Sequence, residues 1–133
     1  MLFAMNAVLR LICLLLWPGL ALAQTPGRTH IGVCVDPDRF EAAQAAGFDY
    51  VETNASKVAA LSDADFEILA GRVAGLRIPL AAAISFIPAA IKLTGPDVDP
   101  ARQTAYVTAT LGRLKRLGVK VVVLGSGGAR RVP

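Results

Sequence analysis

Two places in this 133-residue sequence carry residue types suited to a polar substrate. The first is Glu52, the one acid near the carboxyl end of a predicted strand; Asp49 lies at the amino end of the same strand. Parallel α/β proteins collect function at the carboxyl ends of their strands. A carboxylate there suits a substrate hydroxyl or acid/base work. It equally suits a structural ion pair with a neighbouring Lys or Arg, because an unpaired buried charge is costly. The second place is the run Gly125-Ser126-Gly127-Gly128-Ala129-Arg130-Arg131, directly after the apolar Val121–Leu124. Successive glycines let backbone amides converge on an anion such as phosphate. Arg130 adds a forked donor matched to phosphate or carboxylate. A flexible turn is the other reading, since the run fits neither of the two standard phosphate-loop patterns. Phe86 ends the third predicted strand, where its ring would either wall a sugar pocket or pack into the core.

Other chemistries find little support. His30 is the single histidine, no carboxylates cluster at ligand spacing, and no serine partners the histidine, so neither a metal site nor a nucleophilic triad is read. Asp36, Asp38 and Glu41 read as the acidic first turn of a helix. Cys34 is expected to pack in the core as a small hydrophobe. The net charge is +4, dispersed along the chain. Arg113, Lys115 and Arg116 form the densest cationic group, at a predicted helix end where they are expected to be solvated and to complement the dipole. No aromatic residues interleave with them, so no nucleic-acid partner is expected.

Positioning Glu52 and the glycine-rich loop falls to a repeated strand–helix unit. His30–Val35 is the first apolar strand, and Asp36-Pro37 is expected to cap and open the first helix. Phe40, Ala43 and Ala46 follow at helical spacing, and Gly47 ends that helix. Asp49–Thr53 is the second strand. Ser62 caps the second helix with Asp65 three residues on, and Phe66, Leu69, Val73 and Leu76 form its apolar stripe. Pro79–Phe86 is the third strand. Asp99-Pro100 opens the third helix, with Val107, Leu111 and Leu114 as its inner face and Gly118 as its stop. Lys120–Leu124 is the fourth strand. Alternating strands and helices predict an α/β fold with a parallel sheet, and the strands read as apolar on both faces.

Residues 1–23 stand apart. A single positive charge, Arg10, precedes the uncharged run Leu11–Ala23, which ends in Ala21-Leu22-Ala23. These are the marks of a secretory signal peptide. The run is shorter than the about 20 apolar residues of a spanning helix. The expected location is therefore periplasmic or secreted, with no stable membrane span after cleavage; a retained anchor is the other reading. Residues 24–29 form a polar linker, and residues 30–133 the folded part.

Gly47-Phe48-Asp49-Tyr50-Val51-Glu52 resembles the second strand of the sugar phosphate isomerase/epimerase family, the xylose-isomerase-like TIM barrels. Phe86-Ile87-Pro88 with Lys92-Leu93-Thr94-Gly95-Pro96-Asp97-Val98-Asp99 is similar to that family's third loop. Leu117–Arg130 is similar to its fourth strand and following loop. The resemblance covers residues 30–133 and implies the N-terminal half of a (β/α)8 barrel, about four parallel strands and three helices, since a full barrel takes about 250 residues.

It further implies proton transfer next to the carbonyl of a ketose or aldose, with two carboxylates and a divalent metal. The family's metal ligands lie on later strands, so this chain alone is expected to hold no cofactor and to be inactive. What carries over is a substrate-facing rim for a sugar or sugar phosphate: Glu52, Phe86, Ser126, Gly127, Gly128 and Arg130. A second reading is a small exported binding module that takes an anionic or sugar ligand on the Gly125–Arg130 loop. Four strands alone would leave two free edges, which invite association; a truncated or fragmentary longer barrel is the expectation, and a homodimer through those edges the alternative.

Overall fold

The computed structural model describes residues 27–131. The signal peptide expected over residues 1–23, and residues 24–26 of the linker, lie outside the described residues. Strand β1 (Gly32–Cys34) leads through a 3-10 turn (Pro37–Arg39) into α1 (Phe40–Ala45). Then come β2 (Tyr50–Asn54), α2 (Ala55–Ala59), α3 (Asp63–Ala74), β3 (Leu80–Ile84), α4 (Pro100–Arg116) and β4 (Val121–Val122). The fold is α/β. Its four strands form one all-parallel sheet in the order β1-β2-β3-β4.

The local signals act as read. At α3 the Ser62 hydroxyl accepts from the Asp65 N–H at 3.1 Å and donates to the Asp65 carboxylate at 2.6 Å. At α4 the Asp99 carboxylate accepts from the Arg102 N–H at 3.0 Å, with Pro100 in the first turn, where its missing N–H costs nothing. Gly47 (φ 87°) and Gly118 (φ 79°) turn the chain out of its helices in the left-handed conformation. Asp36 departs from expectation. Its side chain caps no amide; both its oxygens accept from Lys57 Nζ, at 2.7 and 2.8 Å.

Helix α2 goes beyond the sequence reading. Asn54, the last residue of β2, accepts from the Ser56 N–H at 3.0 Å and the Lys57 N–H at 3.3 Å, so strand passes into helix without a loop. Five residues are too few to show a hydrophobic period, but Asn before Ala-Ser-Lys was the available signal.

One core lies between the sheet and its helices. Val51, Leu80 and Ala83 from the strands meet Phe40, Ala43, Val58, Phe66, Leu69 and Leu114 from the helices. On α4 the inner row is Thr110 and Leu114, with Tyr106 and Val107 partly buried, whereas Leu111 is 42% exposed. The expected face is rotated by about one residue, because Tyr106, Thr110 and Leu114 recur every four residues and point the same way.

The opposite face of the sheet carries no helix among the described residues, although Ala82 in the middle of it is 7% exposed. Cys34 aligns with Glu52, Glu52 with Ala82, and Ala82 with Val121, one row across four strands. An extra residue, Ala81, bulges β3 between Val51 and Glu52 and brings the row into line. Cys34 is exposed, and Val121 is 55% exposed. The expectation of a buried Cys34 and of strands covered on both faces is corrected here: the helices cover one face only. Gly32 belongs to this bare side. A Cβ there would overlap the Tyr50 ring, so only glycine lets that ring lie across β1.

Arg113 is also corrected. Instead of a solvated cation, it is a largely buried clamp that donates to the carbonyls of Val58, Ala59 and Leu61 at 3.1, 3.2 and 2.7 Å. Arg116 makes a two-pronged pair with Glu67 at 2.8 and 2.7 Å, which holds the exposed Glu67 carboxyl below its ordinary range. Between α1 and α3, Arg72 grips Glu41 at 2.8 and 2.6 Å and lowers its pKa to about 2.

Candidate functional site

The carboxyl ends of the four strands form the candidate site. Glu52 is half-buried on the bare face, beside Cys34. It forms no ion pair with a Lys or Arg among the described residues. Its carboxylate is therefore available to a ligand. The Cys34 thiol is pushed above its usual pKa, first by partial burial, then by the negative charges of Glu52 and Asp36. The thiolate is the nucleophile, so Cys34 should alkylate slowly at neutral pH despite its exposure, the rate rising as the pH is raised. Glu52→Gln removes one of the two repelling charges. It should raise the iodoacetamide rate at pH 8 about 1.4- to 5-fold, what roughly 0.2–1 kcal/mol of exposed charge interaction amounts to. An unchanged rate would separate the two side chains.

The rim of β1 is tied to that of β2 by the Asp36–Lys57 pair, 21 residues apart in sequence. The rims of β3 and β4 are joined by Ser126. Its hydroxyl accepts from the Ile87 N–H at 2.8 Å and donates to the Leu124 carbonyl. Ser126 is 3% exposed, so this hydroxyl is engaged inside the protein. The Phe86 N–H donates to the Leu124 carbonyl at 3.1 Å, completing the junction. Phe86 itself is 7% exposed; its ring lies 6.1 Å from that of Tyr106, and the Tyr106 hydroxyl donates to the Phe86 carbonyl at 2.7 Å. Of the two sequence readings for Phe86, the geometry is that of core packing. Burial raises the Tyr106 pKa, which keeps the hydroxyl a donor.

The glycine-rich loop is a compact turn docked on the third loop. Its Gly127 amide donates to the Gly125 carbonyl, and the Ala129 and Arg130 amides donate to the Ser126 carbonyl. These amides are taken up within the loop, which leaves the guanidinium of the exposed Arg130 as its main anion-facing group. Ala129 is fully buried, and its carbonyl accepts from the Leu93 N–H at 2.8 Å. Gly128 is exposed to solvent but backs onto Ala89, where a Cβ would come within 2.9 Å of the alanine Cβ. Ser126→Ala should cost about 1–3 kcal/mol, because it leaves the Ile87 N–H buried without an acceptor. Thermal denaturation measures this, and a loss within about 0.5 kcal/mol, the range of ordinary surface substitutions, would reduce Ser126 to a surface contact.

The geometry thus brings Glu52, Asn54 and Lys57 to one side of the mouth and Ser126 and Arg130 to the other. Asn54, Lys57 and Tyr106 were absent from the sequence reading of the site. Ser85 was also missed: its φ of 54° at the end of β3 is a left-handed conformation that costs a non-glycine residue energy. Nothing in a Ser-Phe dipeptide signals it. A concavity of about 520 Å³ opens on the helix side of the β1 edge, lined by Val33, Val35, Ala42 and Phe48 and by Asp36 and Asp38 of the turn after β1.

Among the described residues no group of three or more His, Cys, Asp or Glu side chains could hold a metal ion, so no step through a metal is derived for this chain. Among the same residues no helix is long and apolar enough to cross a membrane. The chain matches no family model, no curated protein and no solved structure.

Proposed function

We propose that residues 30–133 are the N-terminal half of a (β/α)8 barrel of the sugar phosphate isomerase/epimerase kind, exported to the periplasm or beyond. Its rim holds a ketose or aldose, free or phosphorylated. The proton transfer and its divalent metal belong to the half that carries the ligands, and the half described here is inactive by itself. The observation that supports this reading is the sheet order β1-β2-β3-β4, all parallel, with helices on one face. A doubly wound sheet would reverse its order at a switch point and place helices on both faces. A singly wound sheet instead keeps its order and leaves one face to become a lumen. Glu52, without an internal partner, stands on that face to receive sugar hydroxyls, and Arg130 stands at the rim to receive a phosphate.

The test is an amide-shift titration of the purified chain with pentulose and hexulose phosphates. Shifts confined to Glu52, Asn54 and Gly127–Arg130 are expected. No shifts, or shifts only on α1 and α3, would overturn the reading.

A further inference from the structure

We infer that a second copy of this chain covers the bare face, β4 of each copy pairing in parallel with β1 of the other to close a two-fold ring of eight strands. The inference rests on the half-barrel reading above: among the described residues the β1 and β4 edges are unpaired, and a second copy would supply the complementary half in place of the metal-bearing one. Three observations carry it. First, the strands at the two edges, β1 and β4, run in the same direction, so a two-fold axis parallel to the strands sets each beside the other's counterpart. Second, parallel sheets bury both faces, whereas here Val121, Val123 and Leu124 at one edge are 55%, 46% and 46% exposed and Cys34 at the other is exposed too.

Third, the rims are complementary in charge. Parallel pairing lays the turn after β4 against the turn after the partner copy's β1. The first carries Arg130 and Arg131, both exposed and without an acidic partner among the described residues. The second carries Asp38, whose side chain is 75% exposed, and Asp36, already paired with Lys57 at 2.7 Å. Asp38 has only a 3.9 Å contact with Arg39. Antiparallel docking would instead set the arginines at the other end of β1, where the acid, Asp49, is already engaged by Arg28 at 2.7 Å.

Closure has a functional consequence. The Glu52 carboxylates, one from each copy, face a single lumen and form an acidic pair that neither copy holds alone. The second copy thereby contributes a group to the proposed sugar site.

Sedimentation equilibrium of the purified full chain tests this, together with a charge swap. The chain should dimerise, and its Cys34 alkylation rate should fall as protein concentration rises through the dimer range. The double variant Arg130→Glu/Arg131→Glu should weaken self-association at least about tenfold, and Asp38→Arg should do the same, since each sets like charges together. An equimolar mixture of the two variants should associate again, because both junctions of the mixed dimer pair opposite charges. A monomer at every concentration overturns the inference. So does association that neither variant changes, or a mixture that fails to recover. Rim-directed sugar binding by a monomer would remove this inference and leave the barrel reading standing. A dimer that obeys the charge swap but binds no sugar phosphate would do the reverse.

Discussion

Phe66→Ala is expected to cost about 3–5 kcal/mol, the scale of a phenylalanine-to-alanine truncation in a close-packed core. Phe66 is 1% exposed on the inner face of α3. Two guanidiniums, of Arg113 at 5.0 Å and Arg116 at 4.8 Å, lie over its ring. Truncation removes both the buried ring and the surface on which α4 rests its cations. Since a domain of this size has a total stability of about 5–15 kcal/mol, the loss is a large fraction of the total and should lower the denaturation midpoint markedly. Phe66→Leu separates the two contributions: it keeps most of the apolar volume and loses the ring, so a smaller cost, about 1–2 kcal/mol, is expected. Urea denaturation followed by circular dichroism measures both. Equal losses for Ala and Leu would mean that ring chemistry, not volume, dominates the site.

Arg113→Ala should cost about 2–4 kcal/mol, because hydrogen bonds to a charged donor are the stronger kind and the carbonyls it leaves are part-buried. The last carbonyls of any helix lack intrahelical partners. In α2, a helix of five residues, the carbonyls of Val58 and Ala59 lie at that end, with Leu61 just beyond it, and one guanidinium serves all three. Arg113→Lys keeps the charge but not the fork, so it should recover less than half of the loss. Asp63→Asn is the control: the Arg113–Asp63 contact is 2.7 Å, but the Asp63 side chain is fully exposed, and an ion pair with such a partner contributes little. If Asp63→Asn destabilised the chain as much as Arg113→Ala, the carbonyl clamp would not be the reason Arg113 matters. The expected loss reaches the rim, since α2 carries Lys57 and begins at Asn54. Arg113→Ala should therefore also loosen the Asp36–Lys57 tie across the β1 and β2 loops.

The candidate site was only partly legible in the sequence. Glu52 was found because an acid near the carboxyl end of an apolar strand is conspicuous, and it has no ion-pair partner among the described residues. Ser126 was found for a different reason than the one it serves. A hydroxyl in a glycine-rich loop looks like a ligand group, but its acceptor and donor bonds run to Ile87, 39 residues earlier, and to Leu124. Phe86 could be read either as a sugar-pocket wall or as core, and its ring packs against Tyr106. The reverse error occurred at Arg113, which looked solvated because its role depends on carbonyls more than 50 residues upstream. Main-chain acceptors leave no trace in side-chain composition.

What the sequence determined by itself is the succession of strands and helices and most of their ends. Ser62 with Asp65, Asp99 with Pro100, and the glycines Gly47 and Gly118 each act on amides or dihedral angles within about four residues. Such effects need no tertiary partner, so they can be read in order along the chain. The tertiary structure alone decided which face of each strand is covered. Val33 and Cys34 are neighbours in one apolar strand, yet Val33 packs on the core and Cys34 meets solvent. It also decided that Thr110 faces inward while Leu111, the more hydrophobic, is left 42% exposed. The physical reason is the same in both cases. Alternation and helical period define sets of residues that share a face, but which set is buried depends on where the other helices and strands dock, and those contacts join residues far apart in the chain.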